Sequence, residues 1–404
     1  MTLGLVGALP WQAEGHWERL DAAVAELDAP LAALSHEALA HNARDMVRRA
    51  KGTPLRLATK SVRSRPIIHS VLQMPGWHGV LAATLPEGLW LSETIDDVLL
   101  GYPTVHRGAI RTLAADDRAR ARVTLMIDSV EHLDVVDAAA PGHPEIRVAI
   151  ELDSGLALGP LRAGVRRSPL RSPEQIRAMA QAVVARPGFR LVGLMSYEAQ
   201  VAGVQDRRRR GAVPAVAVRA MQRLSIADLL ERRAAAVAAA REVAELEFVN
   251  GGGTGSIEST SADAAVTEIG AGSGLFGGHL FDGYQRFLPA PALAFALPVV
   301  RRPAPGVATL LGGGWIASGP HGSDRSPVIA WPTGLRLDPN EGPGEVHTPV
   351  LGAAADRLRV GDRVWMRHAK SGEPNERTRE LQLVVGDEVV DRVPTYRGEG
   401  RQLL

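Results

Sequence analysis

Pro54-Leu-Arg-Leu-Ala-Thr-Lys60-Ser-Val-Arg-Ser-Arg-Pro-Ile-Ile-His69 reads as a short strand, a turn and the start of a helix. Residues 55–59 are the strand. Ser64 stands as an N-cap ahead of Pro66, and the helical run covers residues 66–74. Lys60 therefore falls at the carboxyl end of a strand, facing a loop. In parallel α/β barrels that edge carries the chemistry. Lysine is scarce here: of 46 Lys and Arg residues, only Lys51, Lys60 and Lys370 are lysines. A guanidinium stays protonated, whereas a lysine amine can lose its proton and attack a carbonyl. An Arg-rich genome is the bland account of the same scarcity.

Outward from this stretch, short apolar runs recur between helix-forming segments. They are Gly79-Val-Leu-Ala-Ala83, Asp97-Val-Leu-Leu100, Val123-Thr-Leu-Met-Ile127, Ile146-Arg-Val-Ala-Ile-Glu-Leu152, Arg190-Leu-Val-Gly-Leu-Met195, Leu246-Glu-Phe-Val249 and Ala265-Val-Thr-Glu-Ile269. With the strand before Lys60 they number eight. Ser172-Pro-Glu-Gln175 is a capping box that opens the helix after the Ile146 run. Eight buried strands alternating with helices predict an α/β fold, a TIM-like (β/α)8 barrel over residues 31–286. An open doubly wound sheet competes, but no Gly-x-Gly-x-x-Gly follows the first strand. From Phe287 the texture changes. Pro289, Pro291, Pro298, Pro303 and Pro305 punctuate the chain and helical periodicity stops, so residues 287–404 read as a C-terminal all-β domain. Residues 1–30 form an arm expected to contribute to it.

Composition bounds the function. Apolar content of 45% and a net charge of +1 describe a globular protein without a field for nucleic acid or membranes. The run Arg207-Arg-Arg-Arg210 has no aromatic company and reads as solvated loop. There is no cysteine, so thiolate chemistry is excluded. The first ten residues are apolar but lack a basic start, and no run is long enough to span a bilayer. A cytoplasmic protein is the expectation.

Val249-Asn-Gly-Gly-Gly-Thr254-Gly-Ser256 follows the seventh run, and Gly270-Ala-Gly-Ser-Gly-Leu275 follows the eighth. Either alone reads as a tight turn. Together, at the two strand ends where barrels hold phosphates, they favour an anion site. No Lys follows the glycines, so this is not a Walker motif. An amine at one strand end and a phosphate cradle at two others describe a pyridoxal 5'-phosphate (PLP) protein.

Thr59-Lys60-Ser61, Leu161-Arg-Ala-Gly-Val165, Gly193-Leu-Met-Ser-Tyr197, Gly251-Gly-Gly-Thr-Gly255, Thr267-Glu268 and Arg367-His-Ala-Lys370 resemble the ordered motifs of fold-type-III PLP enzymes. That group holds D-threonine aldolases, D-serine dehydratases and, more distantly, alanine racemases. The resemblance implies a lyase acting on a D-β-hydroxy-amino acid, with an amino-acid racemase or a non-catalytic PLP-binding protein as alternatives. It also implies a homodimer with a small amino acid as its substrate. Lys60 would carry the cofactor and move a proton at the substrate Cα. Arg162 would approach the cofactor's phenolic oxygen, Tyr197 would line its pocket, and Gly252, Gly253, Thr254, Gly272 and Ser273 would hold its phosphate. Glu151 and Asp153 end the Ile146 run and either touch the site or pair with nearby arginines. The related aldolases and dehydratases hold a metal through a His and a Cys or Asp two residues on. Here His368 is followed by Lys370, which does not ligate while protonated. The divalent metal is therefore in doubt: His368 is the one weak candidate, with His347 and Glu373 as replacement ligands. Lys370 would instead offer its ammonium to the substrate.

Overall fold

The computed structural model describes residues 15–207, 213–320 and 322–402. The apolar start and residues 208–210 of the arginine run lie outside the described residues. The chain divides into two compact units. One comprises Met46–Lys60 and Met74–Gly272. The other comprises the described residues up to Asp45, Ser61–Gln73 and Ser273–Gln402.

The first unit is a closed barrel of eight parallel strands: β1 Leu55–Ala58, β2 Trp77–Ala82, β3 Val98–Leu100, β4 Val123–Ile127, β5 Ile146–Glu151, β6 Phe189–Ser196, β7 Phe248–Gly251 and β8 Glu268–Ala271. Each corresponds to one of the eight apolar runs. β8 closes the ring on β1 through Ile269 opposite Leu55 and Ala271 opposite Leu57. Strands buried on both faces need no polar alternation, which is why they appear as continuous apolar runs; β4 is buried throughout. The capping box forms: Ser172 Oγ accepts from the Gln175 N–H (3.3 Å) while Gln175 Oε1 accepts from the Ser172 N–H (2.9 Å). A small hairpin, Leu156–Leu158 with Leu161–Ala163, sits between β5 and the helix Pro173–Val184.

The second unit is built on a nine-stranded sheet. At its centre Leu31–Ser35 runs antiparallel to Leu293–Ala304 and parallel to Glu380–Val385. The helix His16–Ala23 packs on this sheet, with Leu20 joining Leu31, Ala33, Ala296, Trp365 and Val384 in one apolar cluster. Asp21 fixes the packing by accepting from the Trp365 indole at 2.9 Å. Among the described residues no helix is long and apolar enough to cross a membrane.

Candidate active site

The residues expected at the site that belong to the barrel mostly follow strand ends directly. β1 passes into a single turn, Thr59–Ser61, whose Thr59 hydroxyl donates to the Leu81 carbonyl of β2 at 3.1 Å. This pins the turn and projects Lys60. Its Nζ donates to the Tyr102 Oη at 2.7 Å, and Tyr102 stands two residues past β3. The same Tyr102 oxygen accepts from Arg167 at 3.2 Å. Arg167 also pairs with Glu151, the last residue of β5, at 3.2 Å. Its guanidinium lies 4.8 Å from the centre of the Tyr102 ring and 5.0 Å from that of Tyr197, the residue after β6. One arginine therefore ties together the ends of three strands around Lys60.

Charge in this cluster shifts its titrating groups. Burial pushes the Tyr102 phenol up, but the positive charges of Lys60 and Arg167 together outweigh it and leave the pKa below the usual tyrosine value. Burial raises the Glu151 carboxyl, only partly offset by Arg167. Burial likewise raises Tyr197. Tyr102 thus gives up a proton more readily than a free tyrosine, and it touches the amine.

The two glycine loops are packed too closely to admit side chains. Gly252 has a left-handed φ of 79°, and a Cβ there would lie 2.8 Å from Ile269 Cγ2. A Cβ on Gly253 would lie 2.9 Å from Ala202 Cβ and 3.2 Å from Tyr197 Cε2, so this loop reaches the Tyr197 ring. A Cβ on Gly272 would lie 2.6 Å from the Ala58 carbonyl, just before the Lys60 turn. Thr254 belongs to the first loop, and Ser273 is the next residue along the chain. An amine, a second cation and glycines packed too closely for side chains suit the aldehyde and phosphate of PLP.

Arg162 lies on the exposed hairpin, where it donates to Asp153 at 2.6 Å. Asp153 also accepts from the Gly155 N–H at 2.8 Å, which anchors the hairpin. The arginine that contacts Lys60's partner is Arg167. Tyr102 and Arg167 escaped the sequence reading, although Tyr102, one of only four tyrosines, directly follows an apolar run.

His368 and Lys370 lie in the other unit. His368 is fully buried, with Nδ1 3.1 Å from the Leu293 carbonyl and Nε2 without a hydrogen bond among the described residues. Burial keeps its imidazole neutral, lowering the pKa to about 4. Both Glu373 oxygens are engaged by the backbone N–H groups of Lys370 (2.7 Å) and Ser371 (2.8 Å). His347 pairs with Glu341 at 3.4 Å. Among the described residues no group of three or more His, Cys, Asp or Glu could hold a metal ion. A single neutral imidazole is a poor donor set for a divalent metal.

Comparison with known proteins agrees with this geometry. The family described as alanine racemase, N-terminal domain, matches residues 34–279. The chain belongs to that family, the fold-type-III group of PLP enzymes. It is 27% identical to a D-threonine aldolase of an Arthrobacter species over 57% of this chain and 56% of that protein. It is also 27% identical to a 3-hydroxy-D-aspartate aldolase of Paracoccus denitrificans, over 62% of this chain and 61% of the relative. The chain thus spans about three fifths of the curated relatives it matches. The crystal structure of a D-threonine aldolase from Filomicrobium marinum superposes with a TM-score of 0.76 at 23% identity, covering 93% of this chain and 96% of that one.

Proposed function

We propose that the protein is a PLP-dependent lyase that acts on a D-configured β-hydroxy-amino acid, of the D-threonine aldolase or D-serine deaminase type. The carrying observation is the Lys60 amine, 2.7 Å from Tyr102 in the mouth of a barrel whose last two strands end in glycine loops. The bound cofactor supplies an electron sink for charge developing at the substrate Cα. The protein's own groups do the rest. Lys60 holds the cofactor aldehyde, and the glycine loops with Thr254 and Ser273 hold the phosphate. Arg167, oriented by Glu151, keeps positive charge against Tyr102 and Tyr197. Tyr102 accepts from Lys60 Nζ and is placed to exchange a proton with it.

The racemase alternative requires a second proton-handling group on the side away from Lys60. Tyr102 lies against Lys60 itself and is not that group; Tyr197 or a residue of another subunit would have to serve. The test is incubation with a panel of D- and L-amino acids and identification of the products. An aldehyde with glycine indicates aldol cleavage, and a keto acid with ammonia indicates elimination. An inverted enantiomer would replace the lyase reading with racemisation, and no product with any amino acid would reduce the protein to a cofactor binder.

A further inference from the structure

Buried charges grip the glycine loop after β7 from two sides. On one side is Glu198, the second residue after β6. Its Oε2 accepts from the Gly252 N–H at 3.1 Å, and its Oε1 accepts from the Ser256 hydroxyl at 3.2 Å and from the Thr260 hydroxyl. Ser256 Oγ in turn accepts from the Gly253 N–H at 3.1 Å. Arg233 neutralises Glu198 at 2.9 Å and reaches Asp263 at 2.7 Å. On the other side Arg49 donates to the Thr254 carbonyl at 2.7 Å and pairs with Glu258 at 2.6 Å. Glu198, Arg233 and Arg49 are all at most 4% exposed.

Buried charges are expensive unless fully paired, and removing one partner is strongly destabilising. The bonds of Glu198 to the Gly252 N–H and of Arg49 to the Thr254 carbonyl converge on the loop backbone. The geometry of a trans peptide says what that accomplishes. The carbonyl and the next N–H point in opposite directions. With the Thr254 carbonyl turned to Arg49, the Gly255 N–H points the other way, and it makes no hydrogen bond with a described residue. The Gly252 N–H is already taken by Glu198. Glu198 thus holds one N–H of the loop, and Arg49 sets the direction of another.

We propose that Arg49 and Glu198 are positioning residues that set this loop to receive a phosphate group. The proposal deepens the cofactor assignment above and rests on it. The test is equilibrium binding by the apoprotein of PLP, of pyridoxal, which lacks the phosphate, and of inorganic phosphate. Arg49→Gln is expected to weaken PLP about tenfold or more while pyridoxal stays within about twofold, the size of one charge-assisted hydrogen bond. Arg49→Lys, which keeps a donor for the Thr254 carbonyl, recovers part of the loss. Glu198→Gln follows Arg49→Gln in direction; should it fail to fold, the two Arg49 variants decide. Equal losses for PLP and pyridoxal, or no loss for either, overturn the clamp. A wild-type protein that binds neither PLP nor pyridoxal overturns the cofactor reading instead. Inorganic phosphate binding that still depends on Arg49 would then uphold the clamp alone.

Discussion

At the scale of single residues, the site depends on which groups meet Lys60. Borohydride reduction of the PLP-loaded protein followed by peptide mapping is expected to place the pyridoxyl group on Lys60, and Lys60→Ala to abolish turnover. A label on Lys51 or Lys370 would sink the assignment. Tyr102→Phe removes the acceptor of the Lys60 amine while keeping the ring under Arg167. Turnover should fall roughly 100-fold or more, as expected for a lost proton-transfer partner. Lys60 and Arg167 hold the Tyr102 pKa down, so an alkaline limb due to Tyr102 lies below that of free tyrosine. The substitution should erase that limb, and a persisting limb would show that another group titrates. Lys370 bears on the metal: its ammonium stands two residues from His368, and Glu373 is spent on backbone amides. Turnover is expected to survive exhaustive chelation, whereas loss restored by one divalent ion would show that His368 has recruited ligands from elsewhere. Lys60 was legible because it is a rare residue type at a strand end. Arg167 was not, because it is one arginine among many and its loop position carries no periodic signal.

At the scale of elements, the barrel was legible because largely buried strands leave mainly apolar runs. Leu31–Ser35 shows the limit of that signal. It is buried at every position, as barrel strands are, so composition alone does not say that it joins the mixed sheet. The charged network near the amino ends of the barrel strands was also invisible as a network. Arg56 of β1 pairs with Glu268 of β8 at 2.6 Å and with Asp97 at 2.7 Å. Asn250 of β7 donates to Glu268 at 2.9 Å. His78 of β2 lies 3.2 Å from Glu268 and 3.7 Å from Asp97. The neighbouring carboxylates, Asp97 first and then Glu268, raise the His78 pKa from 6.5 to about 9, against burial and the nearby Arg56 charge. A raised folded-state pKa means a contribution fully present below pH 6.5 that is lost as pH rises through about 9. The wild-type melting temperature should therefore decline between those values, and His78→Asn should flatten the decline. An unchanged pH profile in His78→Asn would show that the imidazole charge is not used.

For the whole molecule, the open question is what shields Lys60. Its side chain is exposed, yet proton transfer at a substrate Cα works best where water is excluded and local charges act at low dielectric. Burial is also what makes the Lys60–Tyr102–Arg167 arrangement effective, since screening by solvent weakens each of its charges. A single chain with an exposed amine is therefore incomplete for this chemistry, and a second copy of the chain is the simplest cover. The net charge of +1 presents no global repulsion between copies. We expect a homodimer to be the active species. Sedimentation velocity across a dilution series, run beside an assay at the same concentrations, should show specific activity falling together with the dimer fraction. PLP should raise the dimer fraction, because a ligand bound better by the dimer shifts that equilibrium by mass action. A fully active monomer at assay concentration would overturn the shared cover and leave closure to a movement within one chain.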